Sequence, residues 1–307
     1  MSATSEPADT PRTHNDPTRT STTRERFRQR LAGRTEDVRG DVRSEVTGQG
    51  TATGGGSAGP AALAGGVTAG IGGLAMLRSL GAFRQWLARL FDGHVTDTPS
   101  LQQARRGTHW TASFVRSAYE TGLRRARIAL RQQGYEIGDR RAAAVITDDR
   151  HQRALAGQYE RALIDLEDAV ENTVQEISRT VADGGYIEAD AVNKRELADT
   201  INERVRANTG KRIRLVAADE PVRTANQAAL TAYQRADVDQ VGVEPEASDT
   251  PDDEQELDWR TAEDRFVCLE CRGLALDGPY LLAEVLAGNP APPPSPHHGC
   301  RCFLWPF

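Results

Sequence analysis

Apolar side chains recur at steps of three and four most regularly over Leu155, Tyr159, Leu163, Leu166, Val170, Val174, Ile177 and Val181. Over about seven turns this spacing predicts one long helix with a single apolar seam, ended by Gly184 and Gly185. Shorter helices fit Arg195 to Arg206, with Leu197, Ile201 and Val205 on one face, and Lys211 to Arg235, with Val216, Val222, Ala225, Ala229 and Tyr233. Pro221 is expected to break the second of these. Between Ser100 and Gly134 the spacing of Phe114, Ala118, Leu123, Ile128 and Leu130 is helical but looser. Just upstream, "RSLGAFRQWLARLF" sets Leu80, Phe83, Leu87 and Leu90 on one face and Arg78, Arg84 and Arg89 elsewhere. Such a basic amphipathic helix suits a membrane surface or a protein surface, and docking on a partner or on the body of this chain is the preferred expectation.

Three stretches lack this periodicity. Residues 1–58 are rich in Thr, Ser, Pro, Asp, Arg and Gly and offer few large apolar groups against the entropy of ordering, so they read as a disordered tail. Within it the charged run from Arg24 to Val46 has no broad apolar face and is expected to form at most a transient helix. From Ala61 to Leu77 run 17 uncharged residues, a length at the lower limit for spanning a bilayer, with five glycines that weaken a helix in water. The segment "VEPEASDTPDDEQE" is acidic and carries two prolines, which marks a linker. The predicted organisation is therefore a tail (1–58), a Gly-rich apolar segment with the basic amphipathic helix (59–95), a helical domain (100–242), an acidic linker (243–256) and a terminal module (257–307).

Composition agrees with helices packed through small residues: of 307 residues, 38% are apolar and 6% aromatic, with Gly and Ala plentiful. The expected fold is mainly α, an elongated helical region followed by a small Cys/His-rich α+β module. The formal charge is -6, and only Lys194 and Lys211 are lysine among 38 basic residues. Arginine in place of lysine on an acidic chain matches proteins of salt-loving hosts, and a GC-rich genome produces the same bias. Residues 78–150 carry about +6 while 151–250 carry about -7, so a basic region exists that would suit nucleic acid or an acidic partner, or would simply be a solvated face. The N-terminus shows no basic segment followed by an apolar run, so a secretory signal is not expected and synthesis in a host cytoplasm is.

All four cysteines lie between Cys268 and Cys302. Cys268-x2-Cys271 is followed, after 25 residues, by His297-x2-Cys300-x-Cys302. Two knuckles of soft ligands suit a structural zinc site in a module too small to be held by its own core, four of these five residues serving as ligands. Disulfides, or thiols that are simply buried, remain open alternatives. A Cys/His nucleophilic pair would need an orienting group and an oxyanion site besides. No phosphate loop, nucleophile elbow or paired-carboxylate motif is present, so an enzyme is not expected.

Around these ligands stand "DWRTAEDRFVCLECRGLALDG" and "PPPSPHHGCRC". Here the chain resembles the phage Mu F-like family of minor head proteins, the head-morphogenesis proteins of tailed viruses. Trp259, Thr261, Asp264, Val267, Cys268, Cys271, Gly278, Pro296, His297, Cys300, Arg301 and Cys302 match that family's terminal pattern in order. His297 rather than His298 keeps its two-residue step to Cys300. Taken by themselves, Trp259 reads as a core anchor and Asp264 as a cap or turn residue. The likeness extends upstream to Ala217, Glu220, Asn226, Tyr233 and Val238, although Ala218 and Asp219 stand where the pattern has Arg and Thr. It covers about residues 110–307. The resemblance implies a virion component that works with portal protein and major capsid protein during head assembly, with packaged DNA a further candidate partner. The alternative is a virion-packaged DNA-binding protein, or a membrane-interacting one acting through 61–91, that assists genome packaging or delivery.

Overall fold

The computed structural model describes residues 18–48, 75–243, 273–274, 276–292 and 302–307. The described residues are mostly helical. In chain order they form α1 (Ser21–Thr47), α2 (Leu80–Phe91), α3 (Leu101–Arg105), α4 (Ala112–Gln132), α5 (Ala142–Val145), α6 (Asp149–Asp183), α7 (Lys194–Asn208), α8 (Arg214–Arg235) and α9 (Leu282–Leu286). Strands β1 (Gln240–Val243), β2 (Tyr280–Leu281) and β3 (Leu304–Pro306) make one antiparallel sheet in the order β2-β1-β3.

The strongest sequence period becomes the longest element. α6 spans 35 residues and buries Leu155, Leu163, Leu166, Val170, Val174, Ile177 and Val181 along one seam, with Gly184 as its C-cap. Around it the apolar side chains fall into two clusters. One joins the C-terminal part of α6 to α1, α2 and α7. The other joins its N-terminal part to α4, the C-terminal half of α8 and the sheet. α6 and α8 cross from one cluster to the other.

Residues 21–47 differ from the expected tail. α1 is a 27-residue helix whose buried side chains are Thr23, Phe27, Leu31, Thr35, Val38, Val42 and Val46. Steps of three and four align these seven into a stripe one residue wide, which is enough when α7 and α8 cover it. Phe27 stacks on Phe114 at 4.8 Å between ring centroids and meets Trp110 edge-on at 5.6 Å, while the Arg34 guanidinium lies over Trp110. The remainder of the expected tail, 1–17 and 49–58, lies outside the described residues, as do the linker residues 244–256 and the Gly-rich residues 61–74.

α2 docks on the body of the chain. Ser79 caps it by accepting from the Ala82 N–H, and Phe83, Leu87 and Phe91 are fully buried, so its apolar face is spent within the protein. Leu80, assigned to that face from the sequence, is exposed, and Trp86 takes a place on it, donating its indole N–H to Glu45 at 2.6 Å. Among the described residues no helix is long and apolar enough to cross a membrane.

Pro221 does not break its helix as expected. α8 runs through it because Ala217, Val222 and Ala225 are buried on either side, and that burial outweighs the roughly 3 kcal/mol an interior proline costs. A wide π turn at Thr209–Ile213 joins α7 to α8, so the helix predicted from Lys211 starts as that turn. α4 and α8 approach unusually closely. A Cβ at Gly122 would lie 2.1 Å from the Ala225 carbonyl oxygen, and Ala118 and Ala126 on α4 and Ala228 and Ala229 on α8 are likewise buried.

Candidate functional site

The two stretches that carried the family resemblance meet in space. Asn226, on the buried face of α8, donates from Nδ2 to the Cys302 carbonyl at 2.9 Å and accepts at Oδ1 from the Leu304 N–H, also at 2.9 Å. Its side-chain amide thus pairs with the outer edge of β3 much as another strand would. Two turns along the helix, the Tyr233 hydroxyl donates to the Leu304 carbonyl at 2.8 Å. All three bonds are buried, where an unpaired backbone group would be costly.

The other edge of β3 is taken by β1, through Val241 to Pro306, Gly242 to Trp305 and Val243 to Leu304. The terminal strand is therefore hydrogen-bonded on both sides. Phe303 and Leu304 sink into the apolar cluster with Val241 and Tyr233, and the Arg125 guanidinium spans the rings of Phe303 and Trp305. The Tyr135 hydroxyl reaches the Phe307 carbonyl oxygen at 3.4 Å.

A buried polar layer lies one turn before the clamp, between the two apolar clusters. Glu220 is 1% exposed and accepts from Arg223 at 2.8 Å and from the Thr224 hydroxyl at 3.2 Å. The same Arg223 nitrogen also bonds Asp165 on α6. One guanidinium thus serves two carboxylates. Burial, with Asp165 adding to it against the pull of Arg223, pushes the Glu220 pKa up to about 7. At the N-terminal end of the α6 seam His151 is fully buried, bonded through Nδ1 to the Tyr119 hydroxyl at 2.9 Å, and burial followed by the Arg235 charge lowers its pKa to about 4.

Of the residues proposed from the sequence, Glu220, Asn226, Tyr233 and Cys302 are thus brought into one region. Gly278 sits in a tight turn under Tyr280: a Cβ there would press on that ring at 3.3 Å, and the Tyr280 hydroxyl donates to the Leu274 carbonyl. Cys302 is buried in the apolar cluster beside Phe303. The other candidate ligands Cys268, Cys271, His297 and Cys300, and the motif residues Trp259, Thr261, Asp264 and Arg301, lie outside the described residues. Among the described residues no group of three or more His, Cys, Asp or Glu side chains is placed to hold a metal.

Sequence reasoning missed Arg125, Asp165 and Arg223. Arg223 carried a signal, standing three residues after Glu220 and so on the same helix face. Asp165 and Arg125 carried none, because their partners are distant in the chain. Comparison with protein-family models, with curated proteins and with solved structures returned no significant match for this chain.

Proposed function

We propose that this chain is a minor capsid protein of a tailed virus, a virion component that acts in head assembly at the portal or on the inner capsid surface. The reading rests on the Mu F-like order of residues from Ala217 to Val238 and from Trp259 to Cys302. One observation carries it furthest. Asn226, from the upstream stretch, hydrogen-bonds Cys302, at the end of the other, and Asn226 and Tyr233 both bond Leu304 just beyond it, so the two stretches form one buried unit. The packed helices would then offer rigid surfaces to portal or major capsid protein. The donor set Cys268, Cys271, His297, Cys300 and Cys302 suits zinc in kind and number, and a bound ion would staple the segment leading into β3. Burial of Cys302 two residues from Leu304 is in keeping with a structural rather than a catalytic thiol.

Deletion of the gene from the virus that carries it tests the proposal. Heads assembled without this chain should be malformed or lack packaged DNA, and cross-linking mass spectrometry of intact wild-type heads should join the chain to portal or capsid protein. Heads of normal shape and DNA content, made without it, would overturn the reading.

A further inference from the structure

Two exposed faces flank the terminal sheet and carry opposite charge. The first surrounds β2 and α9. Leu281, 49% exposed, pairs with Gln240 at the edge of the sheet, and the Leu282 N–H donates to the Asp239 carbonyl, which brings Asp239 alongside. Leu276 and Leu286 are exposed nearby in the chain, with Asp277 and Glu284 exposed between them. Among the described residues 236–243, 273–274 and 276–292 there is no lysine or arginine, so the charges these segments bring to the apolar face are acidic.

The second face is on α4, which packs against β3, the opposite edge of the sheet from β2. Arg124, Arg127, Ile128 and Arg131 line its outer side, and Ile128 is 47% exposed. Asp139 pairs with Arg131 and is the acid that reaches this stripe, while Glu120 is held by Arg116 further along. Partial burial, then the neighbouring Arg131 guanidinium, hold the Arg127 pKa below the usual arginine range against the pull of Asp139.

We propose that copies of this chain associate head to tail, the acidic leucine face of β2 and α9 in one copy seating on the arginine and isoleucine stripe of α4 in the next. Each face finds its complement in charge on the same molecule, yet both stand exposed, because they lie on opposite flanks of one sheet. Contact between two copies brings the two faces together where the fold of one copy holds them apart. The interface is heterologous, so its repetition gives a ring where the rotation closes and a filament where it does not. Charge fixes orientation, while the leucines and Ile128 add apolar area whose burial salt does not screen. The inference is independent of the capsid reading.

Sedimentation of the full chain over a range of concentration and salt tests it. The wild type should associate reversibly as concentration rises. The pair Arg124→Glu with Arg131→Glu, and separately the pair Asp277→Arg with Glu284→Arg, should each weaken association by roughly a hundredfold, since like charges then face one another. Mixing the two variants restores opposite charges at every contact and should restore association. Ile128→Asp and Leu281→Asp give a second reading of the same faces, should a charge-reversed chain prove unstable on heating. A wild type that stays monomeric, variants that associate like wild type, or a mixture that gains nothing would each overturn the proposal. So would loss of binding to duplex DNA on α4 reversal with unchanged sedimentation, which would assign the stripe to nucleic acid.

Discussion

Asn226 shows how much one side chain can decide. It answers an acceptor and a donor of the terminal strand at once, so replacement by Ala strands the Cys302 carbonyl and the Leu304 N–H in an apolar cluster. Asn226→Ala should lower unfolding free energy by about 2–4 kcal/mol, and Tyr233→Phe by about 1 kcal/mol, measured by denaturant titration. Asn226→Asp can still accept from Leu304 but no longer donates to Cys302, and should fall on the unstable side with Ala. Glu220 makes a prediction in pH. Its folded pKa of about 7 stands above the ordinary 4.5, so the folded state holds a proton that the unfolded state releases, and stability is lost as pH rises between those values. His151, lowered from 6.5 to about 4, contributes with the opposite sign: its stability is present above 6.5 and is lost as pH falls toward 4. In the wild type the two slopes partly cancel. Glu220→Gln should remove the first and leave the second, so that the variant gains on wild type by on the order of 1–3 kcal/mol between pH 4.5 and 7.5. Equal pH slopes for the two proteins would rule this out. Asn226 and Glu220 were visible in the chain through resemblance, as was Cys302, but the pairing of Asn226 with Cys302 and Leu304, and the approach of Asp165 to Arg223 beside Glu220, were not, because these groups lie tens of residues apart.

Among the elements, α6 was legible and α1 was not, for the same physical reason. A long seam of large aliphatic groups states its period regardless of context, whereas Phe27, Leu31, Val38, Val42 and Val46 are thinly spread among charged residues and become a core face only when other helices cover them. Phe27→Ala should cost about 3–5 kcal/mol, as for a fully buried aromatic, and not the small change expected of a disordered tail. The contact of α4 with α8 predicts a second large effect from a small change. Gly122→Ala drives a methyl into the backbone at Ala225, which has no flexible end to swing aside, and should cost about 3 kcal/mol or more where an exposed helical Gly→Ala would stabilise. Thermal unfolding of the two variants measures both.

At the scale of the whole molecule, two apolar clusters share α6 and α8 and are separated along them by the Asp165, Arg223 and Glu220 layer. The terminal strand belongs to one cluster alone. Deleting residues 303–307 removes Phe303 and Leu304 from it and leaves β1 without its longer neighbour. Hydrogen exchange should then quicken over 112–132 and 226–243 while 21–47 and 166–181 keep most of their protection. Uniform loss across all four segments would mean that the clusters unfold as one. The boundary expected near residue 243 also changes meaning, since β1 ends there as the central strand of a sheet whose other strands come from the terminal region.

What the chain determined by itself was local: the period of α6 and α7, the amphipathic face of α2, the abundance of small residues, and the ordered pattern of motif residues. These follow from spacing along one helix or from side-chain type, which need no distant partner. The tertiary structure decided the rest. It turned the sparse stripe of α1 into a core face, carried α8 through Pro221, buried Glu220 beside a shared arginine, and closed Asn226 and Tyr233 on the last strand. Each of these depends on groups far apart in sequence. Their energies exist only once folding has excluded water from between them, and no local pattern encodes that.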